Sequence, residues 1–331
     1  MKPLAVALGD PAGIGPEIVA KAWAAGRDTG LPPFFAVGDA AAIGAVWDGP
    51  VRRISDPDEA TRIFGDALPL IHLDGDGPVE PGEPKLEGAR TALDSLELAA
   101  GIVRSGSAGA LVTAPVAKAQ LYAIGFRHPG QTEFVAERCG IAEDNAVMML
   151  MGAGLKVVPL TTHVPLMDVT SLLSVELVVA KSRVLVRGLA RNFGIERPRL
   201  AFAGLNPHAG ESGKIGREEL EILLPAIMEL RAEGIDARGP FAADTMFHAS
   251  ARATYDAAIC TYHDQALIPL KTIAFEEGVN MTLGLPIVRT APDHGTAFGI
   301  AGQDKADHRA MTAAIRVAAE AAQCRARRAA A

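Results

Sequence analysis

Aromatic residues are scarce in this chain, at 5%, and they are not interleaved with lysines or arginines. No block of basic residues is present, and the formal net charge is −7, so the electrostatic footprint of a nucleic-acid binder is missing. Cysteine is scarcer still. Cys139, Cys260 and Cys324 are odd in number, far apart and without a CxxC pair, which excludes a disulfide scaffold and reads as free thiols in a reducing cytosol. No run approaches the ~20 apolar residues of a membrane span. The N-terminal MKPLAVALGDPAG has too short an apolar stretch for a signal peptide and lacks its cleavage site. A cytoplasmic protein is expected, with no nucleic acid and no membrane among its partners.

What is present is ordinary for a globular enzyme: 331 residues, 49% hydrophobic and 21% charged, enough for two domains or one large α/β domain. Apolar runs predict strands at 4–8, 34–38, 68–73, 109–114, 146–151, 155–162, 199–205 and 256–262, several of them continuous enough to be buried on both faces. Between them, apolar stripes of helical period predict helices at 89–105, 174–193, 217–233 and 307–327. Gly194 and Gly234 stand as C-terminal stops, and Pro225 should kink the third helix. This alternation predicts an α/β fold with a mostly parallel sheet and helices on both faces. The Gly/Pro-rich segment 75–88 has no periodic pattern and reads as an ordered connection on the surface.

Three of the eight histidines share one context. His163, His208 and His263 each stand just past an apolar strand-like run, spaced 45 and 55 residues apart. Ligands of open α/β sheets bind beyond the carboxyl ends of the strands. Three imidazoles delivered there make a divalent-metal site with a coordination position left for substrate. Any one alone would more often be structural, and His72, His128, His248 and His308 are read that way. Lys271, Asn280 and Arg289 follow along one later stretch. Spacing leaves two readings open for them: surface charge on a β-rich connection, or a cluster for an anionic substrate.

The glycine motifs are weaker. GDPAGIGPE at 9–17 follows the first strand and opens a helix, yet lacks the third glycine of a dinucleotide loop; a tight turn and an anion site are equally open. GAGLKV at 152–157 joins two strand-like runs and reads as a hairpin. GESGKIG at 210–216 has His208 and Ile215 where a phosphate loop needs glycine and Ser or Thr, and is rejected.

Taken together, GDPAGIGPE, PGQTEF (129–134), TTHVPL (161–166), GLNPHAGE (204–211), ADT (243–245), YHDQ (262–265), GVNMTLGLPIVRT (278–290) and DHGTA (293–297) resemble the 4-hydroxythreonine-4-phosphate dehydrogenase (PdxA) family of vitamin B6 biosynthesis. The resemblance implies NAD- or NADP-linked oxidation of 4-phosphooxy-L-threonine at its C3 hydroxyl, with loss of CO2 to give 3-amino-2-oxopropyl phosphate. It implies one divalent cation (zinc, magnesium, cobalt or manganese) on His163, His208 and His263, and substrate contacts from Thr132, Lys271, Asn280 and Arg289. It implies a fold like that of isocitrate and isopropylmalate dehydrogenases. In that fold residues 1–331 form one catalytic unit of two interleaved α/β lobes, with the active site in the cleft between them. It also implies a homodimer sharing the metal site, and places His294 and Gly295 near NAD. One position departs from the pattern. The family often has histidine before Thr132, and Gln131 can donate a hydrogen bond to phosphate there but carries no charge.

The metal is expected to lower the pKa of the substrate hydroxyl and to stabilise the enolate left by decarboxylation. Asp244 and Asp264 are candidates for taking the proton, or for accepting hydrogen bonds behind the metal ligands. A paralogue oxidising 4-phospho-D-threonate or 4-phospho-D-erythronate is the nearest alternative. A metal-dependent phosphate-ester hydrolase and a non-enzymatic binder of phosphorylated metabolites are rivals from other classes.

Overall fold

The computed structural model describes residues 1–75 and 77–330. In chain order the strands are β1 (Leu4–Ala7), β2 (Phe34–Gly38), β3 (Val51–Arg53), β4 (Leu68–His72), β5 (Leu111–Thr113), β6 (Val147–Gly152), β7 (Leu155–Pro159), β8 (Arg199–Ala203), β9 (Asp236–Phe241), β10 (Ala257–Cys260), β11 (Val279–Leu283) and β12 (Arg289–Pro292). Two compact units divide them. The first comprises Met1–Ile141 and Leu285–Ala331, and the second Ala142–Gly284.

In the first unit the strand order is β3-β4-β2-β1-β5-β12, and every pairing is parallel. Its central strands are buried throughout, with Leu4, Val6, Phe34, Phe35 and Leu111 fully enclosed, as continuous apolar runs require. Helix Leu86–Arg104 packs on β1 and β2. Helix Arg309–Ala330 packs on β12 and against helix Gly15–Gly26. Trp23 anchors the last of these, its Nε1 donating to the Phe64 carbonyl at 2.8 Å.

In the second unit the order is β11-β6-β7-β10-β8-β9. Strands β7, β10, β8 and β9 run parallel, while β6 pairs antiparallel with both β7 and β11. The β6–β7 connection is a two-residue hairpin turn with both central residues left-handed, Ala153 at φ 45° and Gly154 at φ 77°, as such turns demand. Helix Val175–Phe193 begins on a Ser174 side-chain cap and ends at a left-handed Gly194. The stretch around Pro225 is not α-helical throughout. A π-turn at Glu219–Leu223 absorbs the proline's missing donor before helix Leu224–Ala232 continues. Cys260 lies in this core, and burial pushes its thiol pKa up, so it is an inert apolar filler. No helix among the described residues is long and apolar enough to cross a membrane.

Candidate active site

β7, β10 and β8 are neighbours in the parallel part of the second unit, and their carboxyl ends lead into His163, His263 and His208 respectively. Adjacent strands deliver the first two together. The His163 and His263 rings stand 5.6 Å apart between centroids. They line a pocket of about 340 Å³ with Thr161, Leu166, Tyr262 and Asp264. His263 opens helix His263–Ala274, and its Nδ1 lies 2.7 Å from the Asp264 carboxylate. That contact fixes the ring tautomer and leaves Nε2 as the open donor atom, the usual arrangement behind a metal-bound imidazole. The pair thus fits a cation.

His208 is not gathered with them. Among the described residues no group of three or more His, Cys, Asp or Glu side chains is placed to hold a metal ion. The chain after β8 turns through a left-handed run, with His208, Ala209, Glu211 and Ser212 all at φ between 43° and 56°. Such backbone costs about 1–2 kcal/mol per non-glycine residue and persists only when surrounding contacts impose it. Buried Glu219 anchors the residue that leads into the run, accepting from the Asn206 backbone at 2.7 Å and from its side chain at 2.9 Å. His163 is left-handed too, at φ 51°.

Among the anion candidates, Lys271 lies two turns along the helix that His263 opens, its Nζ 5.4 Å from the Phe275 ring centroid. Asn280 sits on β11 with a buried Oδ1 that has no hydrogen-bond partner among the described residues. A buried unfilled acceptor costs stability unless a ligand fills it. In the first unit Arg289, 3% exposed, donates from Nη1 to the Thr132 hydroxyl at 3.2 Å and from Nη2 to Thr113 at 2.6 Å. Burial pushes its pKa down to about 10, against the raising influence of Glu133, and the guanidinium remains charged at neutral pH. Beside it Gln131 donates to the Ala114 carbonyl at 3.1 Å, and its Oε1 is buried without a partner among the described residues.

Residues 33–318 match the family described as Pyridoxal phosphate biosynthetic protein PdxA. The chain is 58% identical to a 4-hydroxythreonine-4-phosphate dehydrogenase of Zymomonas mobilis over 98% of this chain and 97% of that protein. The chain belongs to the PdxA family. Its fold superposes on a crystal structure of 4-hydroxythreonine-4-phosphate dehydrogenase from Klebsiella pneumoniae with a TM-score of 0.88 at 37% identity, covering 97% and 98% of the two chains. A terephthalate 1,2-cis-dihydrodiol dehydrogenase from Burkholderia xenovorans is also similar, at TM-score 0.65 and 29% identity over 96% and 97%.

In this PdxA chain most of the GDPAGIGPE loop's amides are used within the protein. The amides of Asp10, Ala12, Gly13 and Ile14 all donate within the protein, to the Pro115 carbonyl, the Asp10 side chain, the Asp10 carbonyl and the Thr296 carbonyl. Those four are not available to an anion. Gly15 is required because a Cβ there would stand 2.2 Å from the Leu8 carbonyl. Four histidines do have structural roles: His72 accepts from the Ala40 amide, His128 packs between Phe126 and Phe134, His248 caps a short helix, and His308 meets Thr312. One residue escaped the sequence reading: Thr113, which holds Arg289 and gave a single signal, a hydroxyl ending a buried apolar run.

Proposed function

We propose that this chain is a metal-dependent dehydrogenase that oxidises 4-phosphooxy-L-threonine at C3 with a nicotinamide cofactor, the product losing CO2 to give 3-amino-2-oxopropyl phosphate. The observation that carries it is the paired His163 and His263, with Asp264 behind one ring, at the carboxyl ends of adjacent parallel strands in a PdxA family member. His163 and His263 would hold the cation, and His208 of a second copy would complete the set, since one chain does not gather three ligands. When bound, the cation supplies Lewis acidity that lowers a substrate hydroxyl's pKa and stabilises negative charge as CO2 leaves, while nicotinamide takes the hydride. Asp264 orients His263, and Asp244 and Asp264 are the two candidates for accepting the hydroxyl proton. Arg289 presents a guanidinium held by Thr132 and Thr113 to a phosphate or carboxylate, joined in that role by Lys271. Asn280 offers its unfilled oxygen to the substrate's ammonium or hydroxyl.

The segment after His163 leaves Val164, Leu166, Met167 and Leu172 exposed, an apolar surface that a second copy would cover. The test is a side-by-side assay with a divalent cation and NAD. Reduced cofactor should form at 340 nm faster from the amino acid than from 4-phospho-D-threonate. The reverse order would assign the paralogue activity, and phosphate release without NAD would assign a hydrolase.

A further inference from the structure

Helix Gln131–Arg138 opens in the first unit without a side-chain cap, and the amide of its first residue is fixed in orientation. Gln131 Nε2 donates to the Ala114 carbonyl at 3.1 Å, and the reversed amide would set two carbonyl oxygens face to face. The other end is therefore an acceptor. That Oε1 is buried and has no hydrogen-bond partner among the described residues. Gln131 as a whole is only partly buried, which sets the oxygen close under the surface. A buried acceptor left unfilled calls for a donor from outside the chain.

Arg289 shares this corner of the unit. Its guanidinium rests on Thr113 and Thr132, the chain neighbours of Ala114 and Gln131. The two side chains thus lean on the same two segments, the end of β5 and the first turn of the helix. The sequence alone expects Gln131 to donate to phosphate, but its donor is spent on Ala114. What remains takes an N–H or O–H and repels an anion's oxygen.

We propose that Gln131 is a specificity-determining residue, its Oε1 accepting a hydrogen bond from the donor that neighbours the substrate's anionic group on Arg289. The premise is the reading of Arg289 given above. In 4-phosphooxy-L-threonine two donors qualify, the ammonium beside the carboxylate and the C3 hydroxyl beside the phosphate. A site built to pair a substrate donor rejects analogues lacking it, because its own buried acceptor is then left empty. A neutral amide makes this contact without titrating. The charged groups around it are Arg289 from β12 and Glu133 from the helix's own first turn. Lys118 of helix Lys118–Ala123 crowds Gly130 together with Glu133, and Asp10 approaches through its amide bond to Pro115.

Calorimetric titration of the enzyme with a divalent cation but no nicotinamide reads binding without turnover. The ligands are 4-phosphooxy-L-threonine and 3-hydroxy-4-phosphooxybutanoate, which lacks the amine. Gln131→Met keeps the length, removes the acceptor, and should weaken the amino acid about tenfold. An equal loss for both ligands assigns the C3 hydroxyl as the donor; a loss for the amino acid alone assigns the ammonium. Gln131→His separates this role from mere support of Ala114. A neutral imidazole can donate to that carbonyl and accept with its other nitrogen, whereas the imidazolium only donates. Its affinity relative to wild type should hold near about pH 8 and fall roughly tenfold below about pH 6.5. Donation to an anion would make that ratio rise instead. Wild-type affinity in Gln131→Met, or a ratio that stays flat or rises on acidification in Gln131→His, would overturn the proposal. Turnover persisting with that result would leave the dehydrogenase standing and remove only this role. Gln131-dependent binding without oxidation would support the role and remove the function.

Discussion

Asp264 and Arg289 are the residues whose chemistry depends most on one neighbour. Asp264 does not need to touch a cation to matter, because its carboxylate fixes which nitrogen of His263 is open. Asp264→Asn should therefore lower metal affinity roughly 10–100-fold while the fold survives, measured by competition with a chelating dye. Wild-type affinity would remove Asp264 from the site. Arg289 is a buried cation oriented by two hydroxyls, so a lysine, lacking the planar fork, is no substitute. Arg289→Lys should raise KM for the phosphorylated substrate by roughly tenfold or more, with kcat less affected. A change confined to kcat would place Arg289 at the chemistry instead of at the anion.

At the scale of elements, the histidine-bearing turns are held by different means. Glu219 anchors the residue that leads into the left-handed turn after β8. Glu219→Ala would leave the Asn206 backbone amide without its acceptor, at a cost of about 1–3 kcal/mol, while the Asn206 side chain keeps its bond to Glu218. A fall in melting temperature together with weaker metal binding is expected. Weaker stability with unchanged metal binding would detach this turn from the site. Elements were legible in the sequence where burial imposes a periodic pattern. The eight apolar runs all became strands, and helix Val175–Phe193 carries its cap and its stop in the chain itself. The four unread strands lack such a pattern. β3 is wholly exposed at one edge, β9 lies at the other and contains glycine and proline, β12 opens with buried Arg289, and β11 mixes Asn280 and Thr282 with its apolar residues. The shared post-strand position of the three histidines was readable; that only two of them meet was not. That depends on the backbone hand after β8, which no local residue preference dictates for histidine, alanine, glutamate and serine in succession.

On the scale of the molecule, one chain carries two imidazoles of a proposed three. The account therefore needs a second copy, and the exposed apolar side chains that follow His163 offer a surface for it. If the proposed dimer forms, dilution or a charged residue at Met167, which is 84% exposed, should dissociate it and release metal together, as read by sedimentation and metal content. Metal retained by a monomer would contradict a shared site. Subunit mixing tests the central claim most directly. His163→Ala and His208→Ala chains, each inactive alone, should regain metal and dehydrogenase activity when unfolded and refolded together, because one mixed site then has all three wild-type rings. His163→Ala with His263→Ala should stay inactive under the same treatment. Recovery in the second mixture, or none in the first despite proven mixed dimers, would contradict a cation held by His163 and His263 of one copy and His208 of the other.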